Sequence, residues 1–570
     1  MTPYFDLGGH TRPITTSSSE AQIWFDRGLN WCFAFNQEEG VHCFQKALQH
    51  DPDCAMAYWG IAYAAGPFYN MPWCDFCPQE ITRCTKFCFD NITGARSLVS
   101  NVSKVTSVEA GLINALAARF QCAHGVAPEE FDAWDDAYAE AMRQVYQKFP
   151  QDLDVAALFV EAMMTRTPWR LWNVKTDQPA DGADTLECLA VLDQALAQVK
   201  AQDLPQHPAI LHLHIHCLEM SPAPQRALES ANMLRGMCPE AGHILHMPGH
   251  IYVLCGLYAQ AKVISEDAIQ ADRKYLDYAG PYNFYTSSRC HDLHLIIYTC
   301  MFMGQFAPAM QATDEMCATL SRDVLAIKGR PYLAMTLEGY YSMKMHVLVR
   351  FGKWRQIIDT PLPQCPHLYC VSTAMHYYAK TIAHATLGQI ARAERERACF
   401  YDSLANIPDE RKFFNNRALT ILEIAQNMLN GELEYHKGNY ADAFQYLRDS
   451  VRLDDNLAYS EPWAWMHPPR HALGALLIEQ GHYDEAESVY RTDLGLNNEL
   501  QRCSQHPDNV WALHGLAECL RQRRQKNQPG DHDKNNEWDE ITVKLGRAMA
   551  KTDIPITSSC CCRKNTRQHH

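Results

Sequence analysis

The chain has 570 residues, with 51 Lys and Arg against 66 Asp and Glu and a formal net charge of −15. That acidic balance, with a pI near 5.9, argues against nucleic acid, for which a basic stripe would be expected. No apolar run approaches the roughly 18 residues of a membrane span. Met1 to Ser19 lacks the charged and apolar regions of a secretory signal, so the expected compartment is cytoplasmic, with the 23 cysteines reduced and mostly packed between helices.

In chain order, an N-terminal extension (1–20) precedes the first patterned segment. From Ala21 that segment carries Trp24, Gly28, Trp31, Phe44, Ala47 and Pro52. Large aromatics alternate with small residues, which lets two antiparallel helices interlock, neither of which buries its apolar face alone. The spacings resemble the 34-residue tetratricopeptide repeat, W-x2-L-G-x2-Y then A-x3-F and a closing proline. Arg27 stands for the Leu and Gly40 for the Ala. The frame recurs at 208–241, 242–275, 290–323, 424–457 and 467–500, and more weakly from about 119, 153, 338, 374 and 508. The expectation is therefore an all-α TPR-type helix–turn–helix solenoid, a superhelix continuous from 21 to 553.

Five stretches interrupt the rhythm: Asn70–Val105, Thr167–Thr185, Asp277–Cys290, Pro361–His367 and Ala458–Pro469. Their aromatic residues, among them Trp169, Trp172, Tyr282, Phe284, Tyr285, Trp463 and Trp465, predict folded insertions over the concave groove rather than disorder. Residues 554–570, with Cys560, Cys561, Cys562 and a basic end, are expected to be a disordered tail. That cysteine triplet is also a candidate for palmitoylation, although the terminal prenylation pattern is absent.

Six of the 26 histidines fall within residues 212–250, several times an even spread. His212, His216 and Glu219 take positions 5, 9 and 12 of one repeat. His243, His246 and His250 take positions 2, 5 and 9 of the next, and His291 and His294 take positions 2 and 5 of a third. Steps of three, four and seven residues put such side chains on one helix face. The tetratricopeptide resemblance implies that this face, at positions 2, 5, 9, 12 and 13, lines the groove. His-x3-His pairs can share one metal ion, and imidazole with carboxylate suits zinc, iron, copper or manganese. The pattern therefore points to one divalent ion or a dinuclear centre. Glu161, at position 9 of the copy from Leu153, Asp292 and Tyr298 are additional groove candidates. His214, at position 7, faces the packing side. Cys74, Cys77, Cys84 and Cys88 form a second, shorter-spaced zinc candidate.

These residues fit a metal-dependent hydrolase or oxidoreductase acting on a small molecule in the groove. The alternative is a scaffold that binds a peptide or protein partner without metal. The basic clamp of peptide-binding grooves is not evident: Gln22, Phe25 and Trp59 occupy the N-terminal slots. A soft-metal buffer would call for Cys or Met there instead.

Beyond the single repeat, the segments FDRGLNWCFAFNQEEGVHCFQKAL, AYWGIAYAAGPFYNMPW, PWRLW, HMPGHIYVLCGLYAQA and WAWMHPPRHALGALL resemble long TPR-domain proteins common in bacteria. The resemblance spans most of Asp26 to about Arg521. It implies the fold and carries no activity with it. The Cys-rich segment and the tail depart from it.

Overall fold

Each clear repeat becomes a helix pair in the computed structural model, which describes residues 4–99, 105–526 and 532–564. The pair Ser19–Phe33 and Gln37–His50 shows why. Ser18 accepts from the Ala21 N–H and Asn36 from the Glu39 N–H, so both helix starts have a partner for an otherwise orphaned donor. Gly28 lets the helices close: a Cβ there would stand 2.7 Å from the Phe44 ring, and one at Gly60 on the helix Ala55–Ala65 would stand 2.6 Å from it. One aromatic is thus gripped by small residues of two successive first helices, which couples neighbouring repeats. Tyr490 is held in the same way by Gly474 and Gly515.

The described residues form an all-α array of helical hairpins. Among the described residues the strands amount to two small hairpins, Trp172–Asn173 with Gln178–Pro179 and Lys412–Phe413 with Asn416–Arg417. No helix of the described residues is long and apolar enough to cross a membrane.

The helices group into two compact units. The first comprises Met1–Ile251 and Asp267–Arg289, the second Tyr252–Glu266 and Cys290–His570. In the first unit the N-terminal extension joins the core: Phe5 and Leu7 are buried, and Arg12 pairs with Asp152 and Asp154 at 2.9 and 3.0 Å. The repeat at 208 is the helix Pro208–Glu219 followed by the short Leu228–Leu234. The first helix expected from Gly242 is broken into Gly242–His246 and Pro248–Leu254, because Pro248 has no N–H to continue it. The His250 N–H instead bonds the Met247 carbonyl at 3.2 Å, a tighter i,i+3 turn. In the second unit, Ala418–Lys437 pairs with Tyr440–Asp454, Pro469–Glu479 with Tyr483–Asp493, and Cys370–Thr386 with Ile390–Leu404.

Three expectations change. The stretch 70–105 is not irregular: Pro78–Val99 is a 22-residue helix packed on Ala55–Ala65. It buries Cys84, Cys88, Ile92 and Ala95, a stripe at helical spacing that its Pro, Cys and Thr content hid; residues 100–104 lie outside the described residues. The insertion at 277–290 shrinks, since helices run to Ala279 and restart at Tyr285. The tail is packed as far as Lys564, with Ser558, Ser559 and Cys562 buried. Arg350 donates to the Ser559 carbonyl at 2.6 Å and Arg563 to Glu518 at 2.9 Å, so the basic end has partners in the fold. Residues 565–570 lie outside the described residues.

Candidate metal centre

Six of the expected ligands gather inside the first unit: His212, His216, Glu219, His243, His246 and His250. None is more than 2% exposed, so the cluster is enclosed. His212, His216 and His243 each bring a ring nitrogen within 4.8 Å of the others.

The orientation of the rings is set by what holds their Nδ1 atoms. His212 Nδ1 donates to the Phe33 carbonyl at 2.8 Å. His216 Nδ1 donates to Glu219 Oε1 at 2.9 Å and His250 Nδ1 to Glu219 Oε2 at 2.7 Å. In a neutral imidazole whose Nδ1 carries the proton, Nε2 carries the lone pair. The Nε2 edges face one another: His243 to His212 at 3.2 Å, and His246 to His250 at 2.8 Å. Burial, then the neighbouring His216, lowers His212 well below the usual histidine range, which favours the neutral, ligating form. Glu219 and Phe33 thus do what carboxylates and carbonyls do behind metal-bound imidazoles: fix tautomer and aim.

The enclosure is aromatic. The Phe35 ring lies 4.4 Å from His212, 5.1 Å from His243 and 5.7 Å from His216, and the Tyr69 ring lies 4.9 Å from His216. Trp169 packs on Tyr69 at 5.2 Å. Trp172 Nε1 donates to the Cys217 carbonyl at 2.7 Å. The insertion at 167–185 therefore packs beside the histidines, against Tyr69 and the Cys217 carbonyl.

The other expected residues sit on other elements. Glu161 is buried, accepts from the Thr165 hydroxyl at 2.9 Å, and is raised by burial against the opposing charge of Arg119. It belongs to a carboxylate–arginine cluster. His291 and His294 fall in the second unit, where His294 stacks on Phe414 at 4.8 Å and His291 lies 6.4 Å from the same ring. Asp292 is buried on the same helix. Tyr298 packs on Phe302 at 4.6 Å, and burial pushes its hydroxyl well above the usual phenol range. Cys74, Cys77, Cys84 and Cys88 are absent from the ligand clusters of the described residues. Cys84 and Cys88 face the core 3.8 Å apart, Cys84 donating to the Ala65 carbonyl, while Cys74 is exposed ahead of the helix. His214, as expected, is a packed histidine, 2.8 Å from Ser230 Oγ.

One cluster was missed. His10, Asp154 and His207 come together from three distant segments: both Nε2 atoms meet Asp154 Oδ1, at 2.9 and 3.1 Å. They line a cavity of about 550 Å³. Burial opposes ionisation of Asp154, but the hydrogen bonds and charges of His10 and His207 hold it well below the usual carboxylate range. Phe33 joins this cluster to the enclosed histidines: its ring lies 5.7 Å from His10 and 5.5 Å from His207, while its carbonyl takes His212. Only the histidine N-cap before Pro208 hinted at His207 in the sequence.

No family model matches the chain, and no curated protein does. Among solved structures, the chain is similar to a human IFIT1 dimer with m7Gppp-AAAA (10% identity, 94% of this chain and 91% of that chain, TM-score 0.31). It is also similar to yeast Tom70 (10% identity, 91% and 99%, TM-score 0.28) and to the Cut9–Hcn1 heterotetramer of the APC/C (12% identity, 93% and 96%, TM-score 0.24). At these TM-scores the fold assignment rests on the helix pairs themselves, and no function transfers.

Proposed function

We propose that the first unit is a metal centre, in which His212, His216 and His243 hold a divalent ion and Glu219 orients the imidazoles. The observation that carries this reading is the convergence of Nε2 edges behind Nδ1 atoms already engaged by Phe33 and Glu219. Imidazole ligands suit zinc, iron or copper. The pair His246 and His250 supplies two further nitrogens for a second ion. Such a centre would polarise a bound oxygen or activate water, the chemistry of a metal-dependent enzyme acting on a small molecule. Zinc titration by calorimetry tests the reading: His216→Ala and His243→Ala should each weaken binding at least about 10-fold while helical content persists. Unchanged zinc affinity in both variants would remove it.

A second reading, a scaffold for an extended peptide, is favoured by one observation in the second unit. The chain's own segment 553–564 lies across Arg350, His471 and Glu479. By the repeat frame these are groove positions 13, 5 and 13. A labelled peptide of residues 553–564 should bind a chain ending at Thr552; no binding to the folded, shortened chain would contradict this reading.

A further inference from the structure

The C-terminal segment carries ligand chemistry of its own. Cys560, Cys562 and Glu432 each place one ligand atom, two Sγ and a carboxylate oxygen, within 4.8 Å of one another in the second unit. Glu432, on the helix Ala418–Lys437, is 1% exposed, and its Oε2 is buried without a hydrogen-bond partner. A buried carboxylate oxygen in that condition costs stability unless something completes it.

The segment is fixed on both sides of the cysteines. Before them, Arg350 donates to the Ser559 carbonyl at 2.6 Å, and Ser559 Oγ donates to the His471 carbonyl at 3.2 Å. After them, Arg563 donates to Glu518 at 2.9 Å. Between the two anchors, the Cys562 N–H points at Cys560 Sγ, 3.4 Å away, the kind of support a coordinating thiolate uses. Charge also balances. A divalent ion with two thiolates and a carboxylate has a net charge of about −1 by formal count, and the Arg350 guanidinium interacts with all three cysteines.

We propose that Glu432, Cys560 and Cys562 form a divalent metal site of the zinc class, which fastens the C-terminal segment into the second unit. Two thiolates exclude magnesium and calcium as natural occupants. Tetrahedral geometry leaves a fourth position for water. Binding releases the protons of the two thiols and of the buried Glu432 carboxyl to solvent, and the ion enters as the aquo cation with no change of oxidation state. The site is independent of the imidazole centre in the first unit.

The test uses the reduced full chain without a histidine tag, with Co²⁺ as the probe. Thiolate ligation gives a near-ultraviolet charge-transfer band that imidazole and carboxylate do not. The band should appear in the parent and in His216→Ala, and vanish in Cys560→Ser and Cys562→Ser. Glu432→Gln should weaken cobalt binding about 10-fold or more. A chelator should speed proteolytic cleavage near residue 557 in the parent and leave cleavage of Cys562→Ser unchanged. If the cysteine variants fail to fold by circular dichroism, Glu432→Gln and the chelator-dependent cleavage of the parent decide. Absence of the band in the folded parent, its survival in the folded double cysteine variant, or cleavage indifferent to chelator would overturn the proposal.

Discussion

Phe35 ends the helix Ser19–Phe33 in the left-handed region, with φ +54°. The Phe35 N–H bonds the Cys32 carbonyl and the Asn36 N–H bonds the Trp31 carbonyl, a helix-ending arrangement in which glycine is the usual occupant. A phenylalanine there costs about 1–2 kcal/mol of backbone strain, and in return its ring lies among three imidazoles. Phe35→Gly relieves the strain but removes a buried ring otherwise worth about 3–5 kcal/mol, so the melting temperature should fall; a rise would contradict this account. Glu219→Gln keeps the shape and removes the charge that holds two Nδ1 protons, and should weaken metal binding about 10- to 100-fold in a zinc competition assay. Undiminished affinity would show that Glu219 does not orient the rings. At this scale the sequence was legible where ligands share one helix face: His212, His216, His246 and His250 were readable from spacing alone. It was illegible where partners come from afar. Glu161 has the right repeat position, but its neighbour is Arg119, and His10, Asp154 and His207 meet only in the fold.

The helix pairs were readable because interlocking leaves few choices: where Phe44 fills the gap, Gly28 has to be small. Gly28→Ala would put a Cβ 2.7 Å from that ring and should cost about 1–3 kcal/mol in urea unfolding. Gly546, in the helix His532–Met549, has nothing within 4 Å of its would-be Cβ. Gly546→Ala should therefore be neutral or stabilise by about 0.5–1 kcal/mol. If both substitutions behave alike, the interlock is not what limits these positions. The elements misread were those judged by composition. Pro, Cys and Thr interrupt the repeat rhythm over 70–105, whereas the buried stripe of Pro78–Val99 makes a helix. A polar, basic tail suggested disorder, whereas Arg350, Glu479 and Glu518 were waiting for it in the fold.

For the whole molecule, the division of the chain was not visible in a repeat pattern that runs past residue 251 without a break. The first unit needs Asp267–Arg289 to finish its core. Tyr275 packs 5.5 Å from Trp31, and Tyr285 Oη accepts from the His243 N–H at 3.1 Å. A fragment 1–289 should therefore unfold at higher urea than 1–251, and equal midpoints would contradict that dependence. Acid should also destabilise the full chain. Burial lowers His346 to about 3 and His376 and His471 to about 4, while an unfolded histidine titrates near 6.5. Below about pH 6.5 the unfolded state therefore binds more protons, and stability falls as pH drops toward 4. The urea midpoint should be lower at pH 5 than at pH 7.5; an equal or higher midpoint at pH 5 would contradict this. Elemental analysis of the full chain purified without a histidine tag shows whether the first unit's imidazoles hold a metal. In a Cys560→Ser/Cys562→Ser background the expected result is a stoichiometric transition metal that is lost when His212, His216 and His243 are also replaced by Ala; folded Cys560→Ser/Cys562→Ser protein that neither contains nor takes up metal would contradict it.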